Sequence, residues 1–111
     1  MSVTEQALLI LASLATGELH GYAIATDVEA LSSGRVKLAA GTLYGVLGRL
    51  SADGLIAQTR EEVVGGRRRR YYQLTGSGHA ALAQEAAGLR STAAAVSARV
   101  AAGSTRNPRL A

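Results

Sequence analysis

The sequence predicts a mainly α fold with a small β-hairpin: three short helices, the hairpin, and one long C-terminal helix. Three observations predict it. Apolar residues recur at helical spacing in three stretches before residue 54. Two strand-like stretches follow around a Val-Val-Gly-Gly turn, and a seam of small and aliphatic residues then runs to residue 100. At 111 residues the chain has the length of one domain. With 48% hydrophobic residues but no Phe, no Trp and four Tyr, its core must come from Leu, Val, Ile and Ala. So small a chain buries a modest share of its surface, which points toward a second copy supplying what the core lacks.

Ser2-Val-Thr-Glu5 has the S-x-x-E form of a capping box, in which a hydroxyl and a carboxylate satisfy free helix N–H groups. Leu8, Leu11, Ala12 and Ala15 follow at helical spacing, giving a first helix over 3–16 with Gly17 as its stop. A second helix is expected over 21–32, with Ile24, Val28 and Leu31 inward and Ser32-Ser33-Gly34 closing it. The third runs over 40–53, with Leu43, Val46, Leu47 and Leu50 inward and Gly54 beyond its end. Leu55–Glu62 and Arg67–Leu74 read as strands, with Val63-Val64-Gly65-Gly66 as the turn. On the second strand Tyr72 and Leu74 point inward, Arg67, Arg69 and Tyr71 outward. Arg68 and Arg70 fall on the inner set by parity, where nothing covers the hairpin tip. The last helix spans 76–102, and Leu82, Ala86, Leu89, Ala93, Val96 and Val100 form a heptad seam along it. At ~25 residues it is ~37 Å long, more than this core can cover, so the seam is expected to pack on a second subunit. Residues 103–111 read as a disordered, basic tail.

Three helices followed by a hairpin with a basic tip make a winged helix-turn-helix, here residues 1–75, plus a C-terminal dimerisation helix. Charge follows the same division. Residues 1–34 hold four acids and no Lys or Arg, whereas residues 35–79 hold eight bases against three acids. Eleven of the twelve bases are Arg, the side chain suited to bidentate contact with phosphate and guanine. The candidate DNA-contacting residues are Arg35 and Lys37 on the approach to the third helix, Thr42, Tyr44 and Arg49 on its outer side, Arg67, Arg68, Arg69 and Arg70 on the wing, and Tyr22. Gly45 and Gly48 cost the third helix ~1 kcal/mol each, for which close approach to DNA and tight packing on a neighbouring helix are both adequate reasons. His20 is expected to bond at a helix entry, and His79 has no ligand set near it.

Four pieces in register carry a resemblance: Leu19-His20-Gly21-Tyr22, Gly41-Thr42-Leu43-Tyr44, Arg49-Leu50 with Gly54-Leu55-Ile56, and Arg70-Tyr71-Tyr72-Gln73-Leu74-Thr75. Over residues 4–80 the chain resembles the PadR family of bacterial transcriptional regulators, in the short subgroup with a single C-terminal helix. The resemblance implies a winged-helix homodimer that represses transcription from a palindromic operator in double-stranded DNA. It makes Gly41–Asp53 the recognition segment and Gly65–Arg70 the wing. Some members bind phenolic acids or flat hydrophobic drugs near the dimer interface and release DNA, so a small hydrophobic or aromatic inducer is among the implied partners. The chain departs from the family in two places. Gly45 and Ala40 stand where members often carry Pro, and the C-terminal helix has no aromatic residue. An inducer here would meet Leu, Ala and Val walls.

Other function classes find little support. The absence of Cys excludes a disulfide scaffold, a thiolate zinc site and a cysteine nucleophile. No nucleophile stands with a base, and Glu61 and Glu62, adjacent on a strand, point to opposite faces, so no enzyme and no cofactor is expected. The apolar run from Ala7 to Ala15 lacks a preceding basic residue and is short of the ~20 residues of a membrane span, which reads as soluble and cytoplasmic. A basic RNA-binding winged helix and a protein-interaction module remain as alternatives. The seam argues against the first, the Arg-rich wing against the second.

Overall fold

Helix α1 (Glu5–Ser13) begins where Thr4, in extended backbone, accepts a hydrogen bond from the Ala7 N–H at 3.1 Å. The expected cap, Ser2, lies outside residues 3–106, which this computed structural model describes. The helix is shorter than expected at both ends. The Ser13 hydroxyl turns back onto the Ile10 carbonyl (2.7 Å) and Leu14 caps the helix, so Gly17 is not its stop.

A two-residue strand, β1 (Leu19–His20), follows that sequence periodicity could not reveal, because alternation needs a longer run. His20 then opens α2 (Gly21–Leu31), its Nδ1 accepting from the Ala23 N–H at 3.3 Å, the helix-entry role expected of it. Ile24 and Val28 are fully buried, but Leu31 is 50% exposed, against expectation. At that end the buried residue is Ser32, which donates to the Glu29 carbonyl and accepts from the Val36 N–H, so the turn itself closes the core. Helix α3 (Ala40–Ala52) buries Leu43, Val46, Leu47 and Leu50 as expected. Beyond it, the Gly54 N–H bonds to the Ser51 carbonyl and the Leu55 N–H to that of Leu50, closing the helix end.

The hairpin joins β2 (Ile56–Val64) to β3 (Arg67–Leu74), and the sheet runs β1-β3-β2, all antiparallel. Its turn is Gly65-Gly66 alone, with φ of 58° and 77°. The four-residue turn expected is thus corrected: Val63 and Val64 are strand residues opposite Arg68 and Arg67. Two successive glycines supply the two positive φ values of a two-residue turn whose twist matches the strands, so pairing continues to the tip. A bulge between Gln58 and Arg60 lets the strand change phase once.

Thr75 joins two helix ends, its hydroxyl donating to the Gly54 carbonyl (2.6 Å) and accepting from the Gly78 N–H (3.0 Å). Helix α4 (Gly76–Arg106) starts there and packs its first turn so closely that a Cβ on Gly78 would stand 2.0 Å from the Leu55 carbonyl oxygen. It does not end at 102. It passes through Gly103 to Arg106, since one glycine costs a long helix only ~1 kcal/mol. The first four residues of the expected tail are therefore helical, and 107–111 lie outside the described residues. The core is aliphatic as composition required: Ile10, Leu11, Leu14, Leu47 and Ile56 are each at most 2% exposed, with Tyr72 and Leu74 closing the sheet side. Ala81 and Leu82 pack against it, and α4 then leaves the core, extending the molecule to 64 Å.

Candidate nucleic-acid interface

With Leu43, Val46, Leu47 and Leu50 buried, the opposite pole of α3 is Gly41, Gly45, Gly48 and Ala52, a ridge with almost no side chains. A Cβ built on any of these glycines meets nothing within 4 Å. Among the described residues, then, no neighbouring helix packs on Gly45 or Gly48. The ridge is flanked at helical spacing by Thr42 and Arg49 on one side and by Tyr44 and Ser51 on the other, all exposed.

Tyr44, 50% exposed, leans over the start of α2. A Cβ on Gly21 would lie 2.6 Å from its hydroxyl oxygen, which is why α2 opens on glycine. Tyr22 is 79% exposed, with the His20 ring stacked beside it at 6.5 Å. A groove of about 520 Å³ runs between α2 and α3, and Tyr22, Lys37, Tyr44 and Arg67 all line it. Four of the ten residues singled out from sequence thus meet at one place. Lys37 also lies 3.8 Å from Glu29. Arg35 is turned elsewhere: its guanidinium holds the Glu5 carboxylate through two bonds, 2.5 and 2.9 Å, tying the α2–α3 loop to the first turn of α1. That hydrogen-bonded guanidinium holds the Glu5 carboxyl below its ordinary value.

The wing has two chemically different faces. One continues the core outward through Gln58 opposite Tyr72, Glu61 opposite Arg70 and Val63 opposite Arg68. The other carries Arg60 opposite Tyr71, Glu62 opposite Arg69 and Val64 opposite Arg67. The parity expected for the four arginines holds, and all four are exposed. On the first face Glu61 lies 3.2 Å from Arg70 and 3.7 Å from Arg68. On the second, Arg60 stacks over Tyr71 at 3.8 Å and pairs with Glu18 at 2.8 Å and Glu62 at 2.9 Å. The Tyr71 hydroxyl donates to Glu62, which holds that carboxyl low, Arg60 adding to the effect. Glu18 is lowered likewise by hydrogen bonds from Thr59 and then Arg60. Sequence reasoning missed Arg60 and Glu61. Glu18 stands far from Arg60 in the chain, and a four-residue turn would have set Glu62, not Val64, opposite Arg67.

A second groove, of about 360 Å³, lies between α3 and the wing, with Gly48, Ser51, Gln58, Arg70 and Tyr72 in its walls. Burial pushes the Tyr72 hydroxyl up, and Arg70 beside it acts in the opposite sense. Of the seam residues, Leu82 packs, partly buried, against the chain's own core. Ala86 and Ala93 are exposed, as are Leu89, Val96 and Val100 at 54%, 56% and 64%. No helix of the described residues is long and apolar enough to cross a membrane.

Comparison with known proteins reaches the same arrangement. The model of the transcriptional regulator PadR-like family matches residues 10–84, from α1 to the first turns of α4. The chain is 42% identical over 76 residues to the transcriptional regulator Rv3488 of Mycobacterium tuberculosis, covering 68% of this chain and 67% of that protein. It also matches a 37.1 kDa protein in transposon TN4556 of Streptomyces fradiae at 40% identity over 86 residues, 78% of this chain but only 23% of that protein's length. Among solved structures, a PadR family transcription regulator from Clostridium difficile R20291 superposes with a TM-score of 0.74 at 25% identity, covering 87% of this chain and 99% of that one. Bacillus subtilis PadR in complex with operator DNA gives 0.62 at 28% identity, covering 70% of this chain and 44% of that one. The matched segment holds both helices of the helix-turn-helix, the wing and the turn into α4, and the chain belongs to the PadR-like family of transcriptional regulators.

Proposed function

We propose that the protein is a cytoplasmic, sequence-specific DNA-binding regulator, acting as a homodimeric repressor on a palindromic operator. The observation that carries this reading is the side-chain-poor ridge of α3 beside two grooves that meet at Tyr44, with Tyr22, Lys37 and Arg67 gathered at one and Arg70 at the other. A helix so bare can lie close to base edges, leaving Thr42 and Arg49 on one flank and Tyr44 on the other to choose bases. Arg67–Arg70 reach the phosphates, and roughly six such contacts give a slope of about −5 in log K against log salt. The family's Bacillus subtilis member, solved on operator DNA, supports the same role for this winged helix. Dimerisation belongs to the exposed part of α4, Ala86 to Val100, with Leu82 joining it to the core. A hydrophobic inducer bound against that helix would release DNA by changing the spacing of the two recognition helices.

Footprinting and gel shift on the promoter upstream of the protein's own reading frame test this, with unrelated duplex as competitor and the Arg67–Arg70 to Ala variant in parallel. The expected result is a protected palindrome that resists competitor and is lost in the variant. Binding no better than to competitor would overturn specific regulation and favour RNA or a protein partner.

A further inference from the structure

The acid at the centre of the wing has no role in the reading above. Glu61 sits on the wing face that continues from the core, above the groove between α3 and the hairpin. One of its oxygens, Oε1, accepts from the Arg70 Nε at 3.2 Å and from the Gln58 amide at 3.4 Å; the other lies 3.7 Å from the Arg68 Nε. Two guanidiniums and an amide around one carboxylate form a donor set for an oxyanion, and phosphate takes the same kind of donors. Below it the groove adds the Ser51 hydroxyl, at the flank of α3, and Tyr72, whose ring is buried and whose hydroxyl stands beside Arg70. Gly48, with no side chain, leaves the groove open on the α3 side. Arg70 and Glu61 are both exposed, so the ion pair between them is weak and exchangeable.

We propose that this groove, lined by Ser51, Gln58, Arg70 and Tyr72, seats a backbone phosphate of bound duplex, and that Glu61 is the resident anion the phosphate displaces. The proposal rests on the DNA-binding reading and deepens it. Glu61 keeps Arg68 and Arg70 extended along the wing in the free protein and lowers the affinity for any duplex, because its carboxylate must give up both partners and then faces the incoming phosphate. Glu62 provides a charge-matched comparison: it is the next residue, but it lies on the opposite face with Arg60 and Tyr71.

Fluorescence anisotropy on a short labelled duplex of unrelated sequence, across a salt series, tests the assignment with the wild type, Glu61→Gln, Glu62→Gln, Ser51→Ala and Glu61→Gln/Arg70→Gln. The expected result is that Glu61→Gln binds about five- to tenfold more tightly at low salt, with a slope steeper by about one. Glu62→Gln stays within about twofold of wild type, Ser51→Ala weakens binding about threefold, and adding Arg70→Gln cancels the gain. Equal gains from the two Gln variants would mean bulk charge alone and would overturn the proposal. No gain from Glu61→Gln would also overturn it, as would a gain that survives loss of Arg70. Failure of the regulator reading looks different: the wild type would then bind its promoter no better than unrelated duplex, while the Glu61 and Glu62 comparison still reads out on that duplex.

Discussion

At the scale of single residues, the glycines divide into those the fold needs and those it does not. Gly78 is needed, because a Cβ there would stand 2.0 Å from a backbone oxygen that has no room to move. Gly78→Ala is expected to cost about 2–4 kcal/mol, read as a lower urea midpoint. Gly45 and Gly48 are not needed: a Cβ on either meets open space. Replacing either by Ala is expected to stabilise the chain by about 1 kcal/mol through helix propensity while weakening duplex binding several-fold. Unfolding and anisotropy on the same samples check both halves, and a variant that gains stability without losing affinity would remove DNA approach as the reason for those glycines. From sequence the pair admitted two explanations. Only the empty space around them in the fold removes packing among the described residues. His20 was legible because capping is local, whereas Glu61 was not, because its partners are set by pairing across the hairpin.

Between elements, a few polar contacts fix how the pieces join. The Thr75 hydroxyl links the end of α3 to the start of α4, and Thr75→Ala is expected to lose about 1–2 kcal/mol in chemical unfolding. The pairs Glu5–Arg35 and Glu18–Arg60 tie α1 to the α2–α3 loop and the approach to β1 to β2. Both carboxyls, and that of Glu62, are held below their ordinary 4.5 in the folded chain. A carboxyl lowered by folding contributes stability above its unfolded value, and the contribution disappears as pH falls through the lowered folded value. Melting temperature is therefore expected to fall as pH drops below 4.5, and to fall less in Glu18→Gln, in melts from pH ~6 to ~3. A variant with the same pH profile as wild type would show that the pair contributes nothing. Helices and wing strands were readable at this scale because periods of 3.6 and 2 are written along the chain. Two residues of β1 are too few to show a period, and the turn length depended on where pairing stops.

For the whole molecule, the proposed dimer rests on the long helix. Its 31 residues measure about 46 Å at the α-helical rise, and beyond Leu82 the seam residues are exposed among the described residues. Val96→Asp is expected to give a monomer by light scattering with the winged helix still folded, since Val96 makes no part of the core. The same variant is expected to lose most of its preference for a palindromic duplex while keeping its weaker binding to unrelated duplex. A wild-type mass of one chain, or an unchanged mass in the variant, would count against the seam as the subunit contact.

By itself the sequence determined the order of the helices and wing strands, the aliphatic core and the faces of α3 and β3, because each follows from a short-range period and from which side chains avoid water. The tertiary structure decided the rest. It exposed Leu31, set Tyr44 over Gly21, continued the wing pairing to its tip and placed Glu61 against Arg68 and Arg70. These outcomes depend on residues distant in the chain meeting at a fixed distance and angle, which no local pattern encodes.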